Sequence, residues 1–184
     1  MVRIQVKSKH KEDEEELQFL YDCPSTTRIK EIARAVIEIS NLQIKINRLA
    51  LALESGLIQL GDGKGIDSNE AVPLMRALSE AKAYASKDQV LHGRILSPHI
   101  LRDHIQTIEK QVTVNKAVGL SDLTQLHQRH SGSCTDSELL QEDTTQLLWA
   151  GKELMNSKRL CDYVGDNDKT KIMLRLQPSC LSSP

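Results

Sequence analysis

The residue types most often used in metal binding and catalysis occur at a few positions in this chain of 184 residues. His99 and His104 are five positions apart, and no His-Glu-x-x-His pattern surrounds them. They therefore predict surface or partly packed histidines rather than zinc ligands. A second group consists of His127, His130 and Cys134, which lie in a polar stretch. This group lacks a fourth ligand at a spacing suited to zinc.

A glycine-rich stretch is the other possible binding site. Residues 61–65 read Gly-Asp-Gly-Lys-Gly, within the stretch 57–69. A phosphate-binding loop also requires a Lys-Ser or Lys-Thr pair that opens a helix after a strand, and neither is present, so we expect a loop. The sequence shows no Ser/His/Asp set, no cysteine with a spaced histidine and no carboxylate pair in an apolar context. We therefore expect a non-catalytic protein without a cofactor or metal.

The composition is that of an ordinary soluble protein, with 39% hydrophobic and 27% charged residues. The net charge of −1 gives no overall field that would favour nucleic acid or an anionic membrane. No apolar run approaches the roughly 20 residues that a membrane-spanning helix requires. The four cysteines form no Cys-x-x-Cys pair, and the N-terminus reads as a strand rather than a signal peptide. We therefore expect reduced thiols in a cytoplasmic chain.

Residues 1–40 predict a strand, a second strand and a helix. Ile4 and Val6 alternate with polar residues, and residues 17–22 also alternate, so residues 1–24 are interpreted as a β-hairpin. The run Pro-Ser-Thr-Thr that follows is typical of a helix N-terminus, because Ser and Thr side chains accept hydrogen bonds from free N–H groups. Apolar residues then recur at helical spacing as far as Ile37.

The middle of the chain is predicted to be mostly helical. The spacing of its apolar residues predicts one helix that ends near Gly56, a second over residues 70–89 and a third over residues 98–111. The face that the second helix is expected to share consists of Val72, Met75, Leu78, Ala81 and Ala85.

The C-terminal part is predicted to return to β-structure. Residues 112–125 are expected to form a short strand and a turn, followed by a polar loop over residues 128–144. Residues 147–149 are apolar and β-compatible, and the Ala-Gly pair at 150–151 can turn the chain sharply. Residues 171–176 alternate between polar and apolar side chains, which is typical of a half-buried strand.

This order of motifs resembles the C-terminal half of ubiquitin-like domains. The motifs are Leu147-Leu148-Trp149-Ala150-Gly151-Lys152-x-Leu154, Leu160-x-Asp162-Tyr163, and a strand that runs into Arg175-Leu176. The resemblance implies an α+β fold, namely a ubiquitin-like β-grasp domain split by a mostly helical insertion. Its parts are residues 1–40 (hairpin and helix), 41–143 (insertion), 144–178 (second part of the domain) and 179–184 (short tail). Because the chain ends in Ser-Ser-Pro rather than Gly-Gly, a binding module is expected, not a conjugated modifier.

A second resemblance covers most of the chain. Its blocks are Met1-Val2-x-Ile4-x-Val6-Lys7; Leu42-x-Ile44-Lys45-Ile46-x-Arg48-Leu49; Glu80-Ala81-Lys82-Ala83 with Ser86-Lys87-x-Gln89-Val90; Gly119-Leu120; and Gln146-Leu147-x-Trp149-Ala150-x-Lys152-Glu153-Leu154, continuing through Lys158-x-Leu160-x-Asp162-Tyr163 to Ile172. These collinear blocks resemble the Kurly family, the cilia- and flagella-associated protein 298 family. The resemblance implies a non-catalytic role in motile cilia. In this role the protein assists the assembly of axonemal dynein arms.

The same resemblance implies where the protein acts and what it meets. The expected locations are the cytoplasm and the cilium or flagellum. The expected partners are proteins: dynein assembly factors, chaperone machinery or axonemal components, with neither nucleic acid nor membrane. Two rival functions stay open, a structural subunit of the axoneme or dynein docking machinery, and a ubiquitin-like adaptor in a ubiquitin-pathway complex.

Two groups of residues are candidate partner-binding sites. In ubiquitin-like folds the position matched by Leu148 lies on the exposed sheet face used for recognition, so Leu148 and Lys152 form the first candidate, the sheet patch. The alternative is that the insertion covers this face. The second candidate is a group of cations, the basic rim. The alternative is that these charges bind no partner and only solvate the sheet. The members of the basic rim are Lys158, Arg159, Lys169 and Lys171.

Three further residues are expected to have structural roles. Trp149 is predicted to lie in the core. Asp162 belongs to the Leu-x-Asp-Tyr loop of the ubiquitin-like pattern. Tyr163 is expected to fix that loop, because a buried tyrosine hydroxyl usually finds a hydrogen-bond partner, here on the backbone.

Overall fold

The computed structural model describes residues 1–8, 16–61, 68–117 and 139–178. The strands are β1 (Val2–Ser8), β2 (Leu17–Cys23), β3 (Thr145–Trp149), β4 (Lys152–Glu153) and β5 (Lys171–Pro178). The helices are α1 (Ile29–Gly61), α2 (Ser68–Ala85), α3 (Asp88–Leu91), α4 (Pro98–Ala117) and α5 (Cys161–Val164). No helix within these residues is both long enough and apolar enough to cross a bilayer.

The chain divides into two compact units. Unit 1 comprises Met1–Asn41, Lys87–Pro98 and Ser137–Pro184, and unit 2 comprises Leu42–Ser86 and His99–Asp136. Unit 1 therefore combines both ends of the chain with one short segment from its middle, and that segment lies inside the predicted insertion.

The strands of unit 1 form one mixed sheet in the order β2-β1-β5-β3-β4. β1 and β5 are parallel, whereas the other neighbouring strands are antiparallel. The N-terminal hairpin and the C-terminal strands thus meet at the centre of the sheet, and helices occupy the sequence between them. This confirms the predicted α+β class and is consistent with a split β-grasp.

Alternation of side chains explains the central position of β1 and β5. Ile4 and Val6 are buried on β1, as are Ile172 and Leu174 on β5, whereas the residues between them are at least partly exposed. The register sets Ile4 opposite Ile172 and Val6 opposite Leu174, so the buried side chains share one face. Helix α1 contributes further buried side chains to unit 1: Ile29, Ile32, Val36, Ile37 and Ile39.

The start of α1 is completed by distant parts of the chain rather than by the expected local cap. The N–H of Ile29 donates to the carbonyl oxygen of Lys158 at 2.9 Å. Ser25, which was expected to cap the helix, donates its own N–H to Asp168 Oδ1 at 3.1 Å. C-terminal loops therefore satisfy this end of the helix, which a local capping pattern cannot reveal.

Helix α1 is longer than predicted. The helical segment that reaches Ile37 and the segment that was expected to end near Gly56 form one continuous helix up to Gly61. The loop predicted at 57–69 is thus wrong at both of its ends, because α2 begins at Ser68. No proline or glycine lies within α1 before Gly56, so nothing local ends the helix earlier.

The described part of unit 2 is built from helices. Two side chains of α1 contact α2: Gln43 Nε2 donates to the carbonyl oxygen of Ala85 at 2.8 Å, and Glu54 accepts a hydrogen bond from Lys82 Nζ at 3.0 Å. The larger buried side chains of the unit are Ile44, Ile46, Leu49, Leu53, Leu74, Leu78, Leu101, Ile105, Ile108 and Val112.

Two predictions for unit 2 are corrected. Val72 and Met75 are exposed, whereas Leu74 and Ala77 are buried. The buried i, i+3, i+4 stripe of α2 therefore lies beside the stripe that was predicted from the sequence. Residues 112–117 continue α4 rather than forming a strand. Val112 is buried one turn beyond Ile108, so the two side chains lie on the same buried face of α4.

Candidate interaction surface

The sheet of unit 1 has a face opposite its buried apolar side chains, which we call the outer face. Alternation along the strands and the pairing register define this face. One row crosses most of the sheet, with Lys7 opposite Arg175, Arg175 opposite Leu148 and Leu148 opposite Glu153. The main residues of the outer face are Arg3, Gln5, Lys7, Leu20, Leu148, Lys171, Met173 and Arg175.

The two residues of the sheet patch project from opposite faces. Leu148 is half-buried and lies opposite Arg175 on the outer face. Lys152 is exposed and lies opposite Trp149, which in turn lies opposite the buried Leu174. Because directly opposite residues on neighbouring strands project from the same face, Lys152 belongs to the other side of the sheet. Only Leu148 therefore contributes to the outer face.

A tight turn follows Trp149, which is half-buried. Ala150 and Gly151 both have positive φ, 49° and 80°, and they form a two-residue connection between β3 and β4. Turns of this kind match the twist of a hairpin and require positive φ at both positions, which glycine adopts freely. The N–H of Leu154 donates to the carbonyl oxygen of Leu147 at 2.8 Å and extends the pairing.

Most of the charge on the outer face is paired. Arg3 makes two hydrogen bonds to the Asp22 carboxylate, at 3.1 and 3.0 Å, and this carboxylate raises the pKa of Arg3. Lys7 and Arg175 each lie 3.5 Å from a carboxylate oxygen of Glu16. These ion pairs hold the charged side chains of the outer face in place. The apolar side chains of the face lie between the paired charges.

The apolar part of the outer face consists of Leu148 and Met173. Met173 is 49% exposed and lies diagonally across from Leu148, a separation that long side chains can span. Leu20 lies on the same face but is buried. The chain passes beside it, since Ile95 bridges to Leu20 and the N–H of Leu96 donates to the Leu20 carbonyl oxygen at 3.1 Å. A segment of the predicted insertion therefore flanks β2.

The loop that carries Lys158 and Arg159 is fixed by its own side chains. The N–H of Arg159 donates to Asp162 Oδ2, and the N–H of Met155 donates to the Tyr163 hydroxyl, both at 2.9 Å. The Lys158 ammonium lies 5.4 Å from the centre of the Tyr163 ring, within range of a cation–π contact. Asp162 and Tyr163 thus hold the backbone that presents the two cations.

Ser25 joins this loop to the one that leads through Lys169 to Lys171. Its carbonyl oxygen accepts a hydrogen bond from the N–H of Cys161 at 2.7 Å, and its N–H donates to Asp168 Oδ1 at 3.1 Å. The bond from the Ser25 N–H is the main reason that the pKa of Asp168 lies below its usual value. Lys158, Arg159 and Lys169 of the basic rim therefore lie on two loops that meet at Ser25, and Lys171 is the first residue of β5.

A cation that the sequence analysis missed adjoins the basic rim. Arg28 forms an antiparallel bridge with Arg159, next to the hydrogen bond that joins Ile29 to Lys158. The side chains of both arginines are exposed. Arg28 directly precedes the predicted helix, but no local pattern signals its pairing with a residue so far along the chain.

His99 and His104, the candidate metal ligands within the described residues, do not converge on a common site. His99 Nδ1 lies 3.2 Å from a carboxylate oxygen of Asp103, and the ring of His104 lies 5.3 Å from that of Tyr84. In the part of the chain that the structure describes, no three His, Cys, Asp or Glu side chains are grouped so that they could hold a metal ion. Outside the described residues lie His127, His130, Cys134 and residues 62–65.

Comparison with known proteins adds a decisive observation. The family model described as "Cilia- and flagella-associated protein 298" matches residues 145–184. The protein of that name from Mus musculus is 26% identical over 219 residues, which cover 92% of this chain and 76% of the relative. The same four values hold for the protein from Homo sapiens. The protein from Drosophila melanogaster is 21% identical over 225 residues, covering 96% of this chain and 76% of the relative.

The chain is thus similar over most of its length to members of the cilia- and flagella-associated protein 298 family. The resemblance found in the sequence is therefore confirmed. The match to the family model begins at β3 and includes Leu148, the loop between β4 and β5, and β5 itself. The alignment with the protein from Mus musculus covers 92% of the chain and so extends well beyond this C-terminal match. No solved structure matches the chain.

Proposed function

We propose that this chain is a non-catalytic protein-interaction factor of motile cilia that assists the assembly of axonemal dynein arms. The observation that carries the proposal is the similarity to cilia- and flagella-associated protein 298, whose name indicates association with cilia and flagella. We propose that it acts in the cytoplasm and then accompanies its cargo to the cilium or flagellum. Its partners would be dynein assembly factors, chaperone machinery or axonemal components.

The outer face of the sheet supports an interaction role. Leu148 and Met173 are apolar and at least partly exposed, and the ion pairs of Arg3 and of Glu16 surround them. An apolar centre with a polar rim is the usual anatomy of a protein–protein interface. Leu148 also occupies the position that ubiquitin-like folds use for recognition, by the resemblance described above.

Cell fractionation tests the proposed function directly. Ciliated cells are separated into cytoplasm, detergent-soluble cilium and salt-washed axoneme, and the chain is followed in each fraction. We expect most of the chain in the cytoplasm and a loss of dynein arms when the chain is removed. Retention on axonemes through high salt, or intact arms without the chain, would contradict the proposal.

A matched pair of variants tests the outer face in the same cells. Leu148→Asp places a charge in the apolar part of the face and should fail to restore dynein arms. Leu148→Met keeps an apolar side chain of similar volume and should restore them. Equal unfolding temperatures for the two purified variants would exclude misfolding as the cause. Restoration of the arms by both variants would show that this face is not used.

A structural subunit of the axoneme is the second candidate, because unit 2 exposes apolar side chains. Val72 and Met75, one turn apart on α2, are 57% and 45% exposed. Permanent assemblies bury such side chains in large apolar interfaces. If the chain is a lattice subunit, Val72→Ser with Met75→Ser should release it from salt-washed axonemes, whereas the assembly-factor proposal expects little axonemal chain to release.

A further inference from the structure

Two arginines from distant parts of the chain lie directly opposite each other. Arg28 and Arg159 form an antiparallel bridge, framed by hydrogen bonds of 2.9 Å on either side. Opposite residues in such a pair have Cβ atoms roughly 4.5–5.5 Å apart and project from the same face. Both residues are exposed, so the bridge places two arginine side chains in solvent on the same face.

This arrangement is unfavourable unless an anion lies between the two groups. Like charges directly opposite each other on neighbouring strands destabilise the pairing. Arginines elsewhere in the chain bind carboxylates, among them Arg3, Arg34 and Arg175. Among the described residues, neither Arg28 nor Arg159 has an ion pair of this kind.

The neighbouring charges add to the positive field at this place. Lys158 is exposed and adjacent in sequence to Arg159, and its ammonium rests on the Tyr163 ring. Asp162 is the acidic group of the same loop, but one of its carboxylate oxygens accepts a hydrogen bond from the N–H of Arg159. The loop therefore presents more positive than negative charge on its side chains.

The backbone around the two arginines decides which anion fits. Phosphate sites at helix starts rely on free backbone N–H groups. Here the N–H groups of Ile29, Leu160 and Cys161 donate to carbonyl oxygens of Lys158, Thr27 and Ser25. Recognition is left to the guanidinium groups, whose planar fork of donors matches a carboxylate in two-point contact. Carboxylates spaced along an extended peptide could bind the guanidinium groups without additional hydrogen bonds from backbone N–H groups.

We propose that Arg28, Arg159 and Lys158 form a docking site for an acidic, Asp- and Glu-rich segment of a partner protein. This inference rests on the proposed function as a protein-interaction factor and names the chemistry of the partner. The proposed site adds Arg28 to the basic rim and is centred on the bridge between Arg28 and Arg159. Backbone pairing keeps these two residues next to each other.

Binding of an acidic peptide to the purified full chain tests the proposal. The probe is a fluorescein-labelled peptide of alternating glutamate and glycine, and binding is followed by fluorescence anisotropy. We expect the Arg28→Ala, Arg159→Ala double variant to bind about tenfold more weakly, because truncation at close charge pairs has effects of at least this size. Arg94→Ala, which removes an exposed arginine elsewhere in unit 1, should bind as the unmodified chain does.

A charge reversal separates loss of binding from loss of folding. Arg28→Glu places a carboxylate opposite Arg159, so the cross-strand pair becomes attractive and the unfolding temperature should rise or stay unchanged. The same variant should lose binding of the acidic peptide. A variant that is at least as stable as the unmodified chain, yet still binds the peptide equally well, would overturn the proposal.

Three other results would also overturn it. One is equal binding of a matched glutamine-glycine peptide, which would show that charge is not recognised. Another is tighter binding of inorganic pyrophosphate or of a single-stranded oligonucleotide than of the acidic peptide, which would assign the site to phosphate. The third is an affinity that stays the same when salt is raised, since exposed charge contacts are screened.

The peptide assay also separates the site from the wider proposal. It uses purified protein and does not depend on cilia. If the peptide binds as expected but removal of the chain leaves dynein arms intact, the docking site stands and the proposed function falls. If arms depend on the chain but the peptide does not bind, the proposed function stands and the docking site falls.

Discussion

Asn41 and Leu140 exchange two hydrogen bonds within unit 1. Asn41 Nδ2 donates to the carbonyl oxygen of Leu140, and the N–H of Leu140 donates to Asn41 Oδ1, both at 2.9 Å. The amide side chain thereby satisfies both backbone groups of a buried residue. This contact ties helix α1 to the segment that leads into β3.

Replacement of Asn41 should therefore cost stability. Asn41→Ala leaves an N–H and a carbonyl oxygen of Leu140 without partners, and we expect the free energy of unfolding to fall by about 1–3 kcal/mol. Urea unfolding followed by the fluorescence of Trp149 measures the change, because Trp149 is the single tryptophan and lies in unit 1. Asn47→Ala, at an exposed position of the same helix, is the control. Equal losses in both variants would contradict the assigned role.

Neighbouring leucines of β3 should respond differently to the same substitution. Leu147 is buried opposite Leu176, whereas Leu148 is half-buried on the outer face. We expect Leu147→Ala to lower the free energy of unfolding by about 2–5 kcal/mol. Leu148→Ala should cost less than about 1.5 kcal/mol, because less apolar area leaves water when this side chain folds. A reversed order would mean that the strand register is wrong.

The hydroxyl of Tyr163 should contribute measurably to stability. Tyr163→Phe removes the acceptor for the Met155 N–H but keeps the ring beneath Lys158. We expect a loss of about 0.5–1.5 kcal/mol in urea unfolding, which is the usual net value of one hydrogen bond. Tyr163→Leu removes the ring as well and should cost more. If Tyr163→Phe is as stable as the unmodified chain, the hydroxyl does not fix the loop.

Stability should fall with rising pH in the alkaline range because of Cys23. Burial raises the pKa of this thiol from 9.0 to about 11. Between these values the unfolded chain loses the Cys23 proton while the folded chain keeps it, so folding becomes less favourable as pH rises. Below pH 9.0 both states keep the proton and the effect is absent. Urea unfolding across this range should show a shallower decline for Cys23→Ala, and an identical decline in both proteins would refute the assignment.

Local patterns were sufficient for the strands of unit 1 and for the existence of helix α1. The alternation of Ile172, Leu174 and Leu176 predicts which side of β5 is buried, because the period of a strand is a property of the backbone itself. The same reasoning failed for Val72 and Met75, since two neighbouring helical stripes contain apolar residues and only packing selects one. It also failed for the loop before α2, where no local signal marks how far α1 continues.

What the sequence by itself determined is the α+β class, the central strands, the resemblance to a family and the identity of most candidate interaction residues. Tertiary structure alone decided which of them share a surface. It separated Lys152 from Leu148 by the pairing register, and it brought Arg28 to Arg159 through a bridge between distant segments. Alternation and helical spacing act between near neighbours in the chain, whereas contacts between distant segments form only when the whole unit packs, so they leave no local pattern to read.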